Sequence, residues 1–256
     1  MSALQLAVHE DRLHLGRVAA RQAADALVKA CHDNGSATLV VATGTSQFEV
    51  LAELALAEDV PWDAVRIFHL DEYVGLSADH PASFRRFLWD RFIDKLPRAP
   101  NAFHEIDGQA TDPASECRRL AMLVPATPFD VALIGIGENG HLAFNDPPAD
   151  FTTVDPYIVV QLDERCRRQQ VGEGWFRDLS SVPKKAISMS VNRIMASRLL
   201  ICSVPDRRKA DALKATVEGP VTPDVPASIL QEHYNCRLHV DRAATALLRQ
   251  CDTLSK

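Results

Sequence analysis

Short apolar segments alternate with amphipathic segments along this chain, and that alternation limits the possible folds more than any other feature. Ala37–Ala42 and Phe129–Ile136 are rich in aliphatic and β-branched residues and have no continuous polar face. This pattern is typical of strands that helices cover on both sides of a parallel sheet. The same pattern predicts further strands at Val65–Leu70, Ile158–Leu162, Ile187–Ser190, Leu199–Ser203 and Arg237–Val240.

Helical periodicity fills most of the intervals between these strands. Apolar residues at helical spacing predict helices at His14–Asp33, Gln47–Ala57, Ser83–Leu96, Pro113–Leu123 and Asp206–Glu218, with a terminal helix after the last strand. Alternating strands and helices predict an α/β fold: a Rossmann-like, mainly parallel sheet covered by helices on both faces. Because no repeat, low-complexity tract or long linker divides residues 1–256, we expect a single domain over that range.

Composition and charge exclude several classes of function. The net charge of -6 argues against a general nucleic-acid binder, so any anionic ligand must be met by a local site. No apolar run approaches the roughly 20 residues of a membrane span, and His9, Glu10 and Asp11 interrupt what a signal peptide would keep apolar. The six cysteines are scattered and form no CxxC pair, so a cytoplasmic location is predicted.

Ligands of open α/β sheets bind where the carboxyl ends of strands meet the following turns, which selects residues 43–46, 71–76 and 135–147. Thr43, Gly44, Thr45 and Ser46 lie between a predicted strand and a predicted helix. Backbone N–H groups, hydroxyls and a helix N-terminus could hold a phosphate there. The segment is neither a Walker A loop nor a GxGxxG turn, and an ordinary capped helix start is the alternative.

Asp71 and Glu72 follow directly on an apolar strand, beside His69 and Tyr73. A partly desolvated carboxylate at such an edge has a raised pKa and suits a general base near neutral pH. A turn or helix-cap aspartate is the alternative. His69 and Asp71 could also ligate a metal, but two ligands without a third are weak evidence, so no metal is predicted.

The segment from residue 135 to 147 carries the strongest local signal. It places Gly135, Gly137 and Gly140 within six residues, followed by His141 and, five residues later, Asp146. A histidine oriented by a carboxylate is a general acid/base unit, although a lone histidine is more often structural.

A second basic candidate is Lys209, which begins a predicted helix next to Arg207 and Arg208. These side chains could pair with a phosphate or form a solvated helix turn.

Taken together, these segments resemble the glucosamine-6-phosphate deaminase family, part of a superfamily that also contains 6-phosphogluconolactonases. The motifs stand in the family's order and spacing over residues 37–248: LDEYVGL at 70–76, GIGENGHLAFNDP at 135–147, VPK at 182–184, ATVEG at 215–219 and PASIL at 226–230. The resemblance implies a deaminating aldose–ketose isomerisation, in which glucosamine 6-phosphate and water give fructose 6-phosphate and ammonia.

The resemblance also implies a role for each candidate residue. His141 would open the sugar ring with help from Asn139 and Asp146, and Asp71 would move the C2 proton to C1 through an enolamine. The phosphate would be held by four residues at helix starts: Thr43, Gly44, Thr45 and Lys209. No cofactor is implied. The expected partner is a small phosphorylated amino sugar, with no nucleic acid and no membrane, and a homo-oligomer is allowed.

The chain departs from the family pattern at three places. Asn139 stands where many members have Asp, and Asp146 stands where Glu is usual. Residues 165–176 do not align with the family's phosphate-binding Arg, which leaves Arg165, Arg167 and Arg168 as open substitutes.

The sequence also bears on allosteric regulation and on alternative functions. Pro156 and Ile158 occupy positions where allosteric members carry basic residues, so no activation by N-acetylglucosamine 6-phosphate is predicted. A 6-phosphogluconolactonase and a non-catalytic sugar-phosphate sensor are the alternative functions.

Overall fold

The computed structural model describes residues 4–249 as an α/β fold, with ten strands and seven α-helices among those residues. The strands are β1 (Leu4–His9), β2 (Ala37–Val41), β3 (Val65–His69), β4 (Asp71–Tyr73), β5 (Ala102–His104), β6 (Val131–Ile134), β7 (Tyr157–Gln161), β8 (Lys185–Met189), β9 (Leu200–Val204) and β10 (Cys236–Asp241). The helices are α1 (Arg12–Asn34), α2 (Phe48–Ala55), α3 (Phe84–Arg91), α4 (Pro113–Leu123), α5 (Glu164–Gly172), α6 (Val191–Met195) and α7 (Ala210–Glu218).

Seven strands form a parallel sheet in the order β1-β10-β9-β6-β2-β3-β5. Alternate residues of these strands face two apolar layers: Val40 packs into one, whereas Leu39 and Val41 pack into the other. Helices α1, α2 and α3 cover one face, and α4 and α7 cover the other. The predicted α/β class with a mainly parallel, doubly covered sheet is therefore confirmed. The domain boundaries at 1 and 256 stay a prediction, because they lie outside the described residues.

Helices α1 and α2 pack against each other on the same face of the large sheet, and the turn at 43–46 leads into α2. The Asp11 side chain accepts a hydrogen bond from the His14 N–H at the start of α1, and Gly35 ends the helix with a φ of 76°. A Cβ at Gly16 would lie 2.4 Å from the Glu49 Cβ, so the glycine permits this contact between the helices.

A second sheet of three antiparallel strands, in the order β4-β8-β7, was not predicted. The chain passes from one sheet to the other at Leu70. Its N–H donates to the Val41 carbonyl of the large sheet, and its carbonyl accepts from the Met189 N–H of the small one. Asp71 therefore begins β4, directly opposite Ser188.

Several predicted helices differ from the observed ones. The helix predicted at Ser83–Leu96 ends at Arg91, because Phe92 has a φ of -136°, and a 3₁₀ turn at Ile93–Lys95 follows. The helices predicted to start at 47 and 206 are preceded or begun by 3₁₀ turns at Thr45–Gln47 and Arg207–Lys209. After β10, the described residues contain a 3₁₀ turn at Ala244–Leu247 in place of a terminal α-helix.

Candidate active site

A cavity opens at the carboxyl ends of β2, β3 and β6. It brings together six of the eight site residues predicted from the sequence: Thr43, Gly44, Thr45, Asp71, His141 and Lys209. The other two, Asn139 and Asp146, contact His141 from behind the cavity wall. Residues that follow four strands, β2, β3, β6 and β9, thus meet at one place, as the position of parallel strand ends requires.

Residues 43–46 form a turn that leads into α2. Gly44 has a φ of 93°, a conformation that L side chains rarely adopt. The Arg12 guanidinium donates to the Thr45 carbonyl over 2.7 Å and pairs with Glu49, which fixes the turn to α1 and α2. The turn therefore presents hydroxyls and backbone to the cavity at the start of a helix, where an anion is favoured.

Lys209 is the basic residue of 207–209 that enters the cavity. Its side chain is 5% exposed, whereas Arg207 and Arg208 are exposed to solvent and Arg208 pairs with Asp206. Burial lowers the pKa of Lys209, and the carboxylate of Glu173, 3.9 Å from its Nζ, opposes that shift. The solvated-turn alternative thus holds for the two arginines, and the lysine alone faces the ligand space.

His141 is held by a network of hydrogen bonds. Its Nδ1 lies 3.1 Å from Asp146 Oδ1, and its backbone N–H donates to Asn139 Oδ1 over 3.1 Å. Asn139 Nδ2 donates to both Asp146 and Asp163, each over 2.9 Å. A Cβ at Gly137 would lie 2.2 Å from His141 Nε2, so the imidazole can lie over the backbone only because residue 137 is a glycine.

The same network controls the charge of Asp146. Burial alone would raise the pKa of this carboxyl, but hydrogen bonds from His141, Asn139 and the Asp163 N–H outweigh burial and lower it. Asp146 therefore stays ionised and orients the imidazole through Nδ1, which leaves Nε2 for a substrate.

Asp71 has the opposite environment. Its residue is 5% exposed, and among residues 4–249 no side chain or backbone N–H donates a hydrogen bond to its carboxylate. Burial, with a contribution from the neighbouring Glu72, raises the pKa of Asp71 well above its ordinary value. A carboxylate in this state is a stronger base than an exposed one, and Asp71 lines the cavity.

Within residues 4–249, one set of three side chains lies close enough to hold a metal ion: His141, Asp146 and Cys166, with ligand atoms within 4.8 Å of one another. The Asp146 oxygens already accept hydrogen bonds from three groups, and burial raises the pKa of the Cys166 thiol well above its usual range. This donor set suits a positioning network better than a metal. The absence of a metal stays a prediction.

None of the three arginines considered as substitutes for the family's phosphate-binding Arg lines the cavity. Arg167 donates to the carbonyls of Leu179 and Val182, Arg168 pairs with Glu164, and Arg165 is exposed.

Three polar residues of the same segment line the cavity instead: Gln169, Gln170 and Glu173. They were missed, although Cys166, Gln169, Gln170 and Glu173 follow the helical spacing i, i+3, i+4, i+7.

Comparison with known proteins identifies the family of this chain. Residues 10–238 match the model of the family described as glucosamine-6-phosphate isomerases/6-phosphogluconolactonase. The chain belongs to this family. Glucosamine-6-phosphate deaminase from Lactobacillus delbrueckii subsp. bulgaricus is 38% identical over 229 residues, which cover 90% of this chain and 94% of the relative. Glucosamine-6-phosphate deaminase 1 from Bacillus subtilis is 34% identical over 237 residues, covering 91% and 95%.

Solved structures of this family share the fold. A structure described as a monomeric glucosamine-6-phosphate deaminase superposes with a TM-score of 0.87 at 32% identity and covers 95% of this chain and 99% of that chain. The 6-phosphogluconolactonase of Trypanosoma brucei superposes with a TM-score of 0.76 at 18% identity, covering 97% and 100%, which shows the fold alone. The family resemblance inferred from the motifs is confirmed.

Proposed function

We propose that this enzyme converts glucosamine 6-phosphate and water into fructose 6-phosphate and ammonia. The observation that carries the proposal is the meeting of two acid/base groups and an anion site in one cavity: Asp71, His141, and the turn at 43–46 with Lys209. Relatives at 34–38% identity over most of the chain are glucosamine-6-phosphate deaminases, which supports the same reaction here.

The first step is anchoring and ring opening. The hydroxyls and backbone of residues 43–46, together with Lys209, hold the phosphate, so that the sugar extends towards His141 and Asp71. His141 Nε2 moves the proton between the anomeric hydroxyl and the ring oxygen, while Asp146 keeps the imidazole oriented.

The second step is proton transfer in the open-chain sugar. Asp71 removes the proton from C2, and the electron pair forms the C1–C2 double bond of an enolamine while the C1 carbonyl π bond breaks and its oxygen takes a proton from water. The same carboxyl returns the proton to C1, which leaves an imine at C2 that water hydrolyses to the ketone and ammonia. A base with a raised pKa suits both halves of this transfer, because it binds the proton well enough to keep it between C2 and C1.

A lactonase is the weaker alternative. Hydrolysis of an ester would use His141 to activate water but would give Asp71 no task, although its unpartnered carboxylate faces the cavity. The lactonase structures that superpose are only 15–18% identical to this chain, whereas the relatives at 34–38% are deaminases.

Location and assembly stay predictions. Among residues 4–249, no helix has both the length and the apolar character needed to cross a membrane. The cytoplasm is the predicted location, and a homo-oligomer is allowed, although the structural neighbour at 32% identity is described as monomeric.

One assay tests the reaction. Purified protein is given glucosamine 6-phosphate while ammonia and fructose 6-phosphate are both followed, and 6-phosphogluconolactone is hydrolysed in parallel. We expect ammonia and fructose 6-phosphate in equal amounts and no acceleration of lactone hydrolysis. Release of no ammonia from any hexosamine 6-phosphate would contradict the deaminase assignment.

A further inference from the structure

The phosphate end of the cavity contains a carboxylate that the reaction does not require. Glu173 lines the same cavity as Thr43, Gly44 and Lys209, and its side chain is only 4% exposed. One carboxylate oxygen lies 3.9 Å from Lys209 Nζ. An anion that contacts this lysine therefore has to bind next to a second anion.

Glu173 is fixed in this position by hydrogen bonds to both of its oxygens. Gln169 Nε2 donates to Oε1 over 2.8 Å, and Trp175 Nε1 donates to Oε2 over 3.1 Å. Gln169 is itself fixed, because its Oε1 accepts from the Glu138 N–H over 2.8 Å. The carboxylate consequently remains beside Lys209 when a ligand enters, and its oxygens still have lone pairs that can accept another hydrogen bond.

The surrounding charges leave no excess of positive charge at this end of the cavity. The cations near it are Lys209 and Arg208, and the other anions are Glu138 and Asp206. Arg12 also acts on Asp206, but it is paired with Glu49. Tyr73 also faces Glu173, but burial raises its pKa well above the usual range and keeps it neutral. The side chains of Arg208, Asp206 and Glu138 are 35–44% exposed and are screened by water, so the buried charges among these groups are Lys209 and Glu173. These two cancel, which leaves no net positive charge for a phosphate dianion in a desolvated space.

A proton between the two anions removes the repulsion. A phosphate monoester has a second pKa of about 6, so its monoanion carries a P–O–H group near neutral pH. That group can donate a hydrogen bond to a carboxylate, and such charge-assisted bonds are strong. A sulfate ester has no proton to donate at these pH values.

We propose that Glu173 is a specificity-determining residue that accepts a hydrogen bond from a protonated phosphate, so that the enzyme binds phosphate monoesters with uptake of one proton and rejects sulfate esters. This inference rests on the proposed function for the position of the phosphate. The proton comes from solution when the dianion binds, and it is shared between one phosphate oxygen and one Glu173 oxygen. No covalent bond forms or breaks.

The test uses glucose 6-phosphate and glucose 6-sulfate, which share a sugar and lack the amino group that deamination needs. Isothermal titration calorimetry measures the affinity of wild-type protein for each ligand from pH 6 to pH 8. We expect the affinity for glucose 6-phosphate to fall about tenfold per pH unit above pH ~6. We expect glucose 6-sulfate to bind roughly 100-fold more weakly than glucose 6-phosphate at pH 6, because a site built for a hydrogen bond is left unpaired.

Glu173→Gln is the matched variant, because glutamine keeps the shape of the side chain and can donate to either ester. We expect it to bind the two ligands with similar affinity and to lose the tenfold dependence on pH. Deprotonation of Lys209 at higher pH should weaken the binding of both ligands alike. Because this effect should also be present in Glu173→Gln, it can be distinguished from the pH dependence that Glu173 causes. Glu164→Gln changes an exposed carboxylate at the first residue of α5, the helix that Glu173 caps, and should behave as wild type.

Proton uptake gives a second measurement that needs no variant. Titrations of wild-type protein at pH 8 in two buffers with different ionisation enthalpies should show one proton taken up with each glucose 6-phosphate. Equal wild-type affinity for the two esters, or no proton uptake, overturns the inference, as does absence of glucose 6-phosphate binding at pH 6. The proposed function fails separately, if the wild type discriminates between the esters yet releases no ammonia.

Discussion

Asp71 lines the cavity and Asp146 lies behind its wall against His141, and the environments of these two carboxyl groups shift their pKa in opposite directions. Asp146 accepts hydrogen bonds from His141, Asn139 and the Asp163 N–H, and its pKa is lowered. Asp71 accepts none from the described residues, and burial raises its pKa. Partners, rather than burial, therefore separate the two tasks: the partnered carboxylate holds a neighbour in place, and the unpartnered one is free to take a proton.

The largest effect is expected at the unpartnered carboxyl. Asp71→Asn keeps the shape but removes the base, so we expect turnover of glucosamine 6-phosphate to fall about 10³–10⁴-fold. Glucose 6-phosphate binding should be unchanged, because residues 43–46 and Lys209 are intact. Release of ammonia in single-turnover assays measures the loss, and retention of a tenth of the wild-type rate would show that Asp71 is not the base.

Replacing the imidazole should cost less. His141→Gln removes ring-opening catalysis, and we expect a fall of about 10²–10³-fold, since the sugar still opens slowly in water. Steady-state assays compare the variant with Asp71→Asn. A greater loss at His141 than at Asp71 would reverse the order in which we place the two groups.

The supporting carboxylate should have a smaller effect again. Asp146→Asn leaves the imidazole poorly oriented, and we expect a loss of about 10²-fold in kcat with little change in KM. Asp146→Glu is the matched variant, because it keeps the charge and adds one methylene. If both variants lose the same activity, geometry rather than charge is what Asp146 supplies.

Stability should respond to the two carboxyls with opposite sign. A raised pKa at Asp71 destabilises the folded protein as pH rises above 3.8, so Asp71→Asn should add about 1 kcal/mol to the free energy of unfolding at pH 7. A lowered pKa at Asp146 stabilises it above pH 3.8, so Asp146→Asn should cost about 2 kcal/mol there. Urea unfolding from pH 3 to pH 7 measures both differences.

Each difference should shrink towards acid, since all these carboxyls become protonated there. A stabilising Asp146→Asn, or a destabilising Asp71→Asn, would break the comparison.

The last prediction is that an added effector does not change the rate. Pro156 and Ile158 replace the basic residues that the resemblance associates with allosteric activation, so N-acetylglucosamine 6-phosphate should leave the rate unchanged. Initial rates at substrate concentrations below KM provide the measurement. An increase of about fivefold or more, the usual size of an allosteric coupling, would contradict this expectation.

The site residues could be predicted from the sequence where they lie close to the end of an apolar segment. Thr43 directly follows the apolar segment 37–42, Asp71 directly follows the strand predicted at 65–70, and His141 lies in the Gly-rich loop after the strand predicted at 129–136. The cavity residues Gln169 on α5 and Glu173 at its C-cap are polar. Apolar periodicity, which predicted the other helices, therefore does not indicate them.

The small sheet escaped prediction for a related reason. Strand β4 has three residues, and its pairing with β8 depends on contacts more than 110 positions away in the chain. Asp71 was therefore expected at the end of the strand predicted at 65–70, whereas it is the first strand residue of another sheet.

That position has a mechanical consequence. The backbone of Leu70 is hydrogen-bonded to Val41 through its N–H and to Met189 through its carbonyl, one residue before Asp71. The turn at 43–46 follows β2 of the large sheet, so the proposed phosphate site and Asp71, the proposed base, lie on different sheets. A shift of the small sheet by a fraction of an ångström would leave the phosphate of the ligand bound and move Asp71 away from C2.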